Sequence, residues 1–446
     1  MADQNTLMLA YYGDDFTGST DALEQLALAG VRAALFIAPP TPKQLARFKG
    51  LQAIGVAGMT RSFTPVAMER ELRPALKKLK ALGVRHVHYK VCSTFDSSPK
   101  IGSIGRAIDV GAEVFRAAFV PVLAAAPALG RYTLFGTHFA RYGIGSAGAI
   151  HRLDRHPSIS KHPVTPMTEA DLRVHLGKQT KKRIALFDIL KVALPQAEAR
   201  AAFSRLLAEK PEIVLFDALS AQNLNAIGTL LEHYASARRP LFSVGSSGIE
   251  AALVADRKQQ RPARTFARPA KQVLIGSGSC SPVTSGQIVW ALKHGFAEVA
   301  LNTAGLIADP TREIVRCSRM ATAFLQAGRS VIVHTTKRGP NKQVAEKLKG
   351  STLGTLGFAL GAILRRALKG HAPVNRICLA GGDTSGHVAS RLGVEALEMI
   401  APLTPGAPLC RAHASPPSPM GGLEVVFKGG QVGPENFFEI VLKGKS

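Results

Sequence analysis

The sequence predicts an α/β protein made of two α/β domains with largely parallel sheets. Three observations carry that expectation. Short apolar runs alternate with segments of helical period along most of the chain. The length of 446 residues exceeds what one hydrophobic core usually supports. The alternation is also broken by a charged, proline-bearing stretch and then restarts. The first domain is accordingly assigned to residues 1–255, the linker to 256–271 and the second domain to 272–446.

The first strand is expected over residues 7–12, followed by the polar turn Gly13-Asp14-Asp15 and a helical period through 22–28 that stops at Gly30. Asp21 is the expected helix cap, with Glu24 three residues on. Further strand-then-loop units are read at 33–37, at 53–57 before Thr60-Arg61, at 86–91 before Ser93-Thr94, and at 214–216 before Asp217. Strands alternating with helices imply a parallel sheet covered on both faces. After the linker, strands are expected at 273–275, 299–301, 331–334 and 377–380, and helices at 344–348, 357–368 and 388–392. The proline-rich stretch 402–419 is read as a loop before a last strand at 423–427.

Composition narrows the partners. The formal charge is +25, which attracts nucleic acid, anionic membrane or anionic metabolites. Lys and Arg are scattered, however, and no basic stripe is interleaved with aromatic residues, so neither nucleic acid nor membrane is an expected partner. The five cysteines (Cys92, Cys280, Cys317, Cys378, Cys410) are odd in number and widely spaced, without a Cys-x-x-Cys pair. With no leader pattern at Met1-Ala2-Asp3-Gln4 and no apolar run long enough to span a bilayer, a cytoplasmic location is expected.

Ligands of open α/β sheets bind beyond the carboxyl ends of the strands, so residues just after each strand are the ones to read for chemistry. In the first domain, Asp14 and Asp15 stand side by side. Adjacent carboxylates raise one another's pKa and suit binding sugar hydroxyls, taking up a proton or holding a cation; a turn with a helix cap is the plainer alternative. Arg61 and Lys90 follow other strands and offer a guanidinium fork and a point charge for a small anion, with Ser93 adding a hydroxyl. His151, His156 and His162 match no zinc spacing, so no metal site is assigned there; with Pro157, Pro163 and Pro166 close by, the stretch reads rather as a proline-stiffened substrate loop carrying His and Arg.

In the second domain, three glycine-rich segments follow strands. Gly276-Ser277-Gly278-Ser279-Cys280-Ser281 is neither a Walker A loop nor a full Gly-x-Gly-x-x-Gly fingerprint, and Pro282 stands where a helix should start. Gly381-Gly382-Asp383-Thr384-Ser385-Gly386 leads into a helix whose N-terminus suits a phosphate, with Asp383 as a base or a magnesium ligand. Lys428-Gly429-Gly430-Gln431-Val432-Gly433 adds one cation among glycines.

Together with Gly13-Asp14-Asp15-Phe16-Thr17-Gly18, these segments occur in the order and spacing of the four-carbon acid sugar kinase family, which the chain resembles over nearly its whole length. The resemblance implies an N-terminal acid-sugar-binding domain and a C-terminal nucleotide-binding domain, with the active site in the interdomain cleft. It implies ATP and Mg²⁺ as cofactors and phosphorylation of a terminal hydroxyl of a tetronate, a 3-oxo-tetronate or a related small acid sugar. Ser277, Gly278, Ser279, Gly381, Gly382, Asp383, Thr384 and Gly430 should then hold ATP, while Asp14, Asp15, Arg61, Lys90 and Ser93 face the sugar, and Asp15 or Asp383 takes the proton. The family commonly reads Lys-x-x-Asp-Ser-Thr where this chain has Lys90-Val91-Cys92-Ser93-Thr94. That departure looks more like the branch associated with 3-oxo-isoapionate. Two rival readings remain at this point: an NAD(P)-dependent oxidoreductase of a sugar acid and a nucleic-acid-binding regulator. Assembly as a homodimer is left open.

Overall fold

The computed structural model describes residues 7–144, 147–162, 164–257, 267–335, 352–370 and 374–445, without the side chains of 352–355, 383 and 384. The chain divides into two compact units, Met1–Tyr142 with Ala147–Ala263, and Gly143–Ser146 with Arg264–Ser446.

The first unit contains β1 (Leu9–Gly13), β2 (Ala33–Phe36), β3 (Ala53–Ala57), β4 (His86–Lys90), β5 (Val120–Leu123), β6 (Arg131–Leu134), β7 (Thr137–Arg141), β8 (Ile150–Arg152), β9 (Ile184–Phe187), β10 (Ile213–Phe216) and β11 (Leu241–Gly245). Eight of these strands form a parallel sheet in the order β2-β3-β1-β4-β11-β5-β10-β9. Apart from β4, which carries His86, His88 and Lys90, their runs are mostly apolar, and β1 to β5 are buried throughout, as a sheet with both faces covered requires. One face packs Leu72, Leu76 and Leu79 of helix Pro65–Lys80 and Ile108 of helix Ile104–Phe115 against Val87, Val122 and Phe242. A small antiparallel sheet, β6-β7-β8, carries its own cluster of Ala140, Leu153, Ile159, Met167 and Ala170.

The second unit contains β12 (Val273–Ser277), β13 (Ala297–Ala300), β14 (Val331–His334), β15 (Arg376–Ala380), β16 (Ala396–Thr404), β17 (Ala407–His413) and β18 (Glu424–Lys428). Their order is β13-β14-β12-β15-β18-β17-β16, parallel from β13 to β18 and antiparallel through β17 and β16. Val273, Ile275, Ile332, Val426, Phe437 and Phe438 form part of its core.

Three expectations change. The first helix runs Phe16–Leu28 and is capped by Asp15, whose side chain accepts from Gly18 N; Asp21, the expected cap, lies inside the helix. The stretch read as a loop at 402–419 holds the end of β16 and all of β17, because a tight Gly406 turn with φ +80° folds the chain into a hairpin. The small antiparallel sheet was not anticipated, since its strands are short and half-polar. The helix expected at 344–348 lies outside the described residues. Among those residues, no helix is long and apolar enough to cross a membrane.

Candidate active site

In each unit the chain reverses its direction of progress across the sheet at one strand, and that is where a crevice opens at the carboxyl ends. In the first unit β3 lies on one side of β1 and β4 on the other; in the second, β14 and β15 flank β12 in the same way. The two sets of predicted residues fall at these points.

Gly13 is in register with Ala57 and Lys90, so the segments after β1, β3 and β4 leave the sheet at one level. Asp14 N donates to Lys90 O at 2.8 Å, and Arg61 N donates to Asp14 O at 3.1 Å. Asp15 uses both carboxylate oxygens. Oδ1 accepts from Gly18 N at 2.6 Å as the helix cap, and Oδ2 accepts from Arg61 Nη1 at 3.0 Å and from Thr17 Oγ1 at 3.3 Å. A Cβ on Gly18 would lie 2.5 Å from Asp15 Oδ1 and 3.1 Å from Lys90 Nζ, so only glycine admits both groups.

Arg61 also reaches Asp96 through Nη2, and Thr94 Oγ1 donates to the other oxygen of Asp96. Burial alone would raise the Asp96 carboxyl, but the Arg61 guanidinium, with His162 and Thr94, overrides it and holds the group at about 2. Asp96 was not singled out for the site, and His162 only as part of a proline-stiffened substrate loop. Asp96 lies within the quoted Lys90 to Ser97 segment, but its tie to Arg61 spans 35 positions, and no local spacing announces such a pair.

Lys90 is buried, with Nζ donating to Val91 O at 2.9 Å and standing 3.4 Å from Asp21 Oδ2. Burial would lower its pKa, but Asp21, Asp15 and Glu250 converge on it and raise it. The Ser93 carbonyl accepts from His138 Nε2 at 3.0 Å, which anchors the segment after β4. Asp14 differs from all of these. It is buried, its Oδ1 has no hydrogen-bond partner among the described residues, and burial together with the Asp15 charge pushes its carboxyl well above the ordinary range, against the pull of Arg61 and Lys90.

In the second unit Ser277 is in register with Ala380, and Ala380 with Lys428. Gly278 N donates to Ala380 O at 3.1 Å and Gly381 N to Lys428 O at 2.9 Å. Gly381 has φ +117°, and a Cβ there would lie 3.1 Å from Ser279 N. Two backbone segments therefore approach closely, and the helices they lead into, Pro282–Lys293 and Gly382–Leu392, start without a side-chain cap bond. Uncapped amides at two helix starts suit phosphate oxygens. Ser279 Oγ donates to Thr284 Oγ1 at 3.1 Å, and Thr284 Oγ1 donates to Gly430 O at 3.1 Å, joining the first and third glycine segments. Ser277 Oγ is buried and has no partner among the described residues. The helix Gly382–Leu392 includes Asp383 and Thr384, whose side chains are outside the described residues.

Lys428 is not the open cation the sequence suggested. It is fully buried, and Nζ donates to Thr284 Oγ1 at 2.8 Å and Gly429 O at 2.9 Å. It ties the third glycine segment down from inside; burial pushes its pKa down to about 7. The histidines also find structural employment: His156 Nδ1 accepts from Ser158 N and Ile159 N at 3.3 Å, and His162 Nδ1 from Thr165 N at 3.1 Å.

One unit thus gathers carboxylates and cations at a strand-end crevice, and the other gathers amides and glycines. This is the division of labour of a two-domain α/β phosphotransferase. Residues 9–253 match the model of a sugar-binding N-terminal domain, and residues 274–438 that of a nucleotide-binding C-terminal domain. The chain is 42% identical to a 3-oxo-isoapionate kinase of Paraburkholderia graminis, covering 98% of this chain and 95% of that one. It is 29% identical to a 3-oxo-tetronate kinase of Pseudomonas savastanoi pv. phaseolicola, covering 98% and 97%. A solved structure from Salmonella typhimurium LT2 shares the fold with a TM-score of 0.78 at 24% identity, over 99% of this chain and 100% of that one. The chain belongs to the four-carbon acid sugar kinase family and is a sugar-acid kinase that uses a nucleotide. The oxidoreductase and nucleic-acid readings gain no support from these likenesses.

Proposed function

We propose that the protein transfers the γ-phosphoryl group of ATP to a terminal hydroxyl of a small acid sugar in carbohydrate catabolism, with 3-oxo-isoapionate first among the substrates and tetronates or 3-oxo-tetronates behind it. The observation that carries this is the full-length likeness to a 3-oxo-isoapionate kinase, combined with a strand-end crevice in the first unit rich in paired charges.

Phosphoryl transfer asks for alignment and charge neutralisation more than for covalent catalysis. Arg61 and Lys90 supply positive charge for the substrate carboxylate and its neighbouring oxygens, with Asp14, Asp15 and Ser93 beside them for hydroxyls. The amides of Gly278, Ser279, Gly381 and Gly382 and the segment at Gly430 cradle the phosphates, with Ser277 and Thr384 adding hydroxyls. Mg²⁺ reaches such sites mainly on the nucleotide's phosphates, held by one or two protein oxygens. Ser277 Oγ, without a partner among the described residues, and the Asp383 carboxylate would hold it, and it would supply charge neutralisation for the transferred phosphoryl group. Asp15 and Asp383 are the carboxylates the sequence nominates to receive the hydroxyl proton. A cytoplasmic setting fits five cysteines that form no disulfide among the described residues.

The test is ADP release with Mg²⁺ and ATP over a panel of 3-oxo-isoapionate, tetronates and 3-oxo-tetronates. Turnover on 3-oxo-isoapionate is the expected result. Absence of turnover on every member would remove the reading.

A further inference from the structure

The acceptor hydroxyl must lose a proton as its oxygen bonds to phosphorus, and the crevice of the first unit holds several carboxylates. Resting on the kinase reading above, we infer that Asp14, rather than Asp15, is the group that takes that proton. The argument is one of availability. Asp15 has given Oδ1 to Gly18 N and Oδ2 to Arg61 and Thr17, so both oxygens serve the helix cap and the ion pair. Asp96 is bound to Arg61 and Thr94 and is held at about 2, which makes it a poor proton acceptor. Asp21 lies within helix Phe16–Leu28 with Lys90 Nζ at 3.4 Å. Among the described residues Asp14 makes no side-chain hydrogen bond or ion pair; it is 4% exposed and stands at the carboxyl end of the strand where the sheet order reverses.

The groups around Asp14 explain its basicity. Asp15 lies beside it in the same turn, Tyr12 on β1, Arg61 after β3, Tyr89 and Lys90 on β4, and Asp96 beyond. Burial and the acidic neighbours outweigh the two cations, so the carboxyl binds a proton more readily than a free carboxylate does. In the transfer, the hydroxyl O–H bond breaks with its proton passing to Asp14, and the oxygen forms a bond to the γ-phosphorus. The bond from that phosphorus to the bridging oxygen breaks, and its electron pair leaves on the β-phosphate of ADP.

The sign of the stability effect separates this role from a structural one. A carboxyl raised in the folded state keeps a proton that the unfolded chain has lost, so stability falls as pH rises from about 4 through the raised value. Asp14→Asn is therefore expected to lower kcat by at least ~100-fold. It should leave nucleotide affinity, read by titration with a fluorescent ATP analogue, within about twofold of wild type. Its Tm should equal or exceed that of wild type, with the gap widening towards alkaline pH. Asp15→Asn should instead lose Tm, because the amide keeps the cap to Gly18 N but gives up the ion pair to Arg61.

The inference falls if Asp14→Asn keeps kcat within about tenfold of wild type, or if only KM changes. If Asp14→Asn does not fold, the wild-type profile decides. An acid limb in kcat centred above the usual carboxylate range supports Asp14, and a flat profile from about pH 5 to 8 overturns it. Wild-type enzyme inactive on every acid sugar is a separate outcome, which removes the kinase reading itself.

Discussion

Arg61 sits between two carboxylates and satisfies each through a different nitrogen, Nη1 to Asp15 and Nη2 to Asp96. Lysine retains the charge but carries its three donors on one nitrogen, so Arg61→Lys cannot reproduce the contacts made by two separate nitrogens. We expect that variant to raise KM for the acid sugar by at least ~10-fold and to cost about 1–3 kcal/mol of stability, measured by steady-state kinetics and urea unfolding. Asp96 gives the same contact a pH signature. Its carboxyl is held at about 2, so its contribution to stability is complete above the unfolded value of about 4 and is lost as pH falls through about 2. Arg61→Met removes the largest influence opposing burial at Asp96 and leaves His162, Thr94 and a backbone hydrogen bond. Acid unfolding followed by circular dichroism should then begin at higher pH than in wild type; an unchanged midpoint would mean that these remaining groups suffice without Arg61. Arg61 and Lys90 could be nominated from sequence because each follows an apolar run. Asp96 could not be paired with Arg61, since nothing local ties them, and the difference between Asp14 and Asp15 is one of occupied and unoccupied oxygens.

The glycine segments act as elements rather than as single residues, because each is held at the level of the next by the strand register. Gly381 has φ +117°, a conformation L side chains rarely adopt, and a Cβ there would lie 3.1 Å from Ser279 N, close enough that the two segments would have to part by a few tenths of an ångström. Gly381→Ala should cost about 1–3 kcal/mol and weaken ATP binding by spreading the two segments, read as a lower Tm and a larger Kd by calorimetry. A fall in Tm without any change in Kd would argue against the phosphate cradle. Most strands were legible from apolar runs bounded by turn residues, and β3 and β14 lie where the sequence put them. The failures share a cause. β6, β7 and β8 are short and only partly apolar, and β16 and β17 run through prolines that the sequence reading took for a loop. In such segments pairing with a neighbouring strand, rather than local preference, decides the conformation. Asp21 was misread as a cap because its neighbours allow it, whereas Asp15 is the one that reaches a free amide.

At the scale of the molecule, the net charge of +25 favours the approach of anionic substrates wherever it is felt. Because exposed charges are screened, kcat/KM for the acid sugar should fall as ionic strength rises from about 0.01 to 0.15 M, with kcat changing little. Equal loss in both parameters would point to a salt effect on folding instead.

The order of apolar runs and glycine segments was enough to determine two α/β halves, and the resemblance of four motifs to a known family implied the sugar-acid kinase class. Those features are local: a strand, its turn and the helix start that follows are written within about a dozen residues. Tertiary structure decided which carboxylate is free, which lysine is buried and which acid holds Arg61. Such questions depend on contacts between residues tens to more than a hundred positions apart, as Thr284 to Gly430 and Arg61 to Asp96 illustrate. The balance of burial against neighbouring charge that sets the protonation of Asp14 and Lys428 exists only once the chain has closed around them.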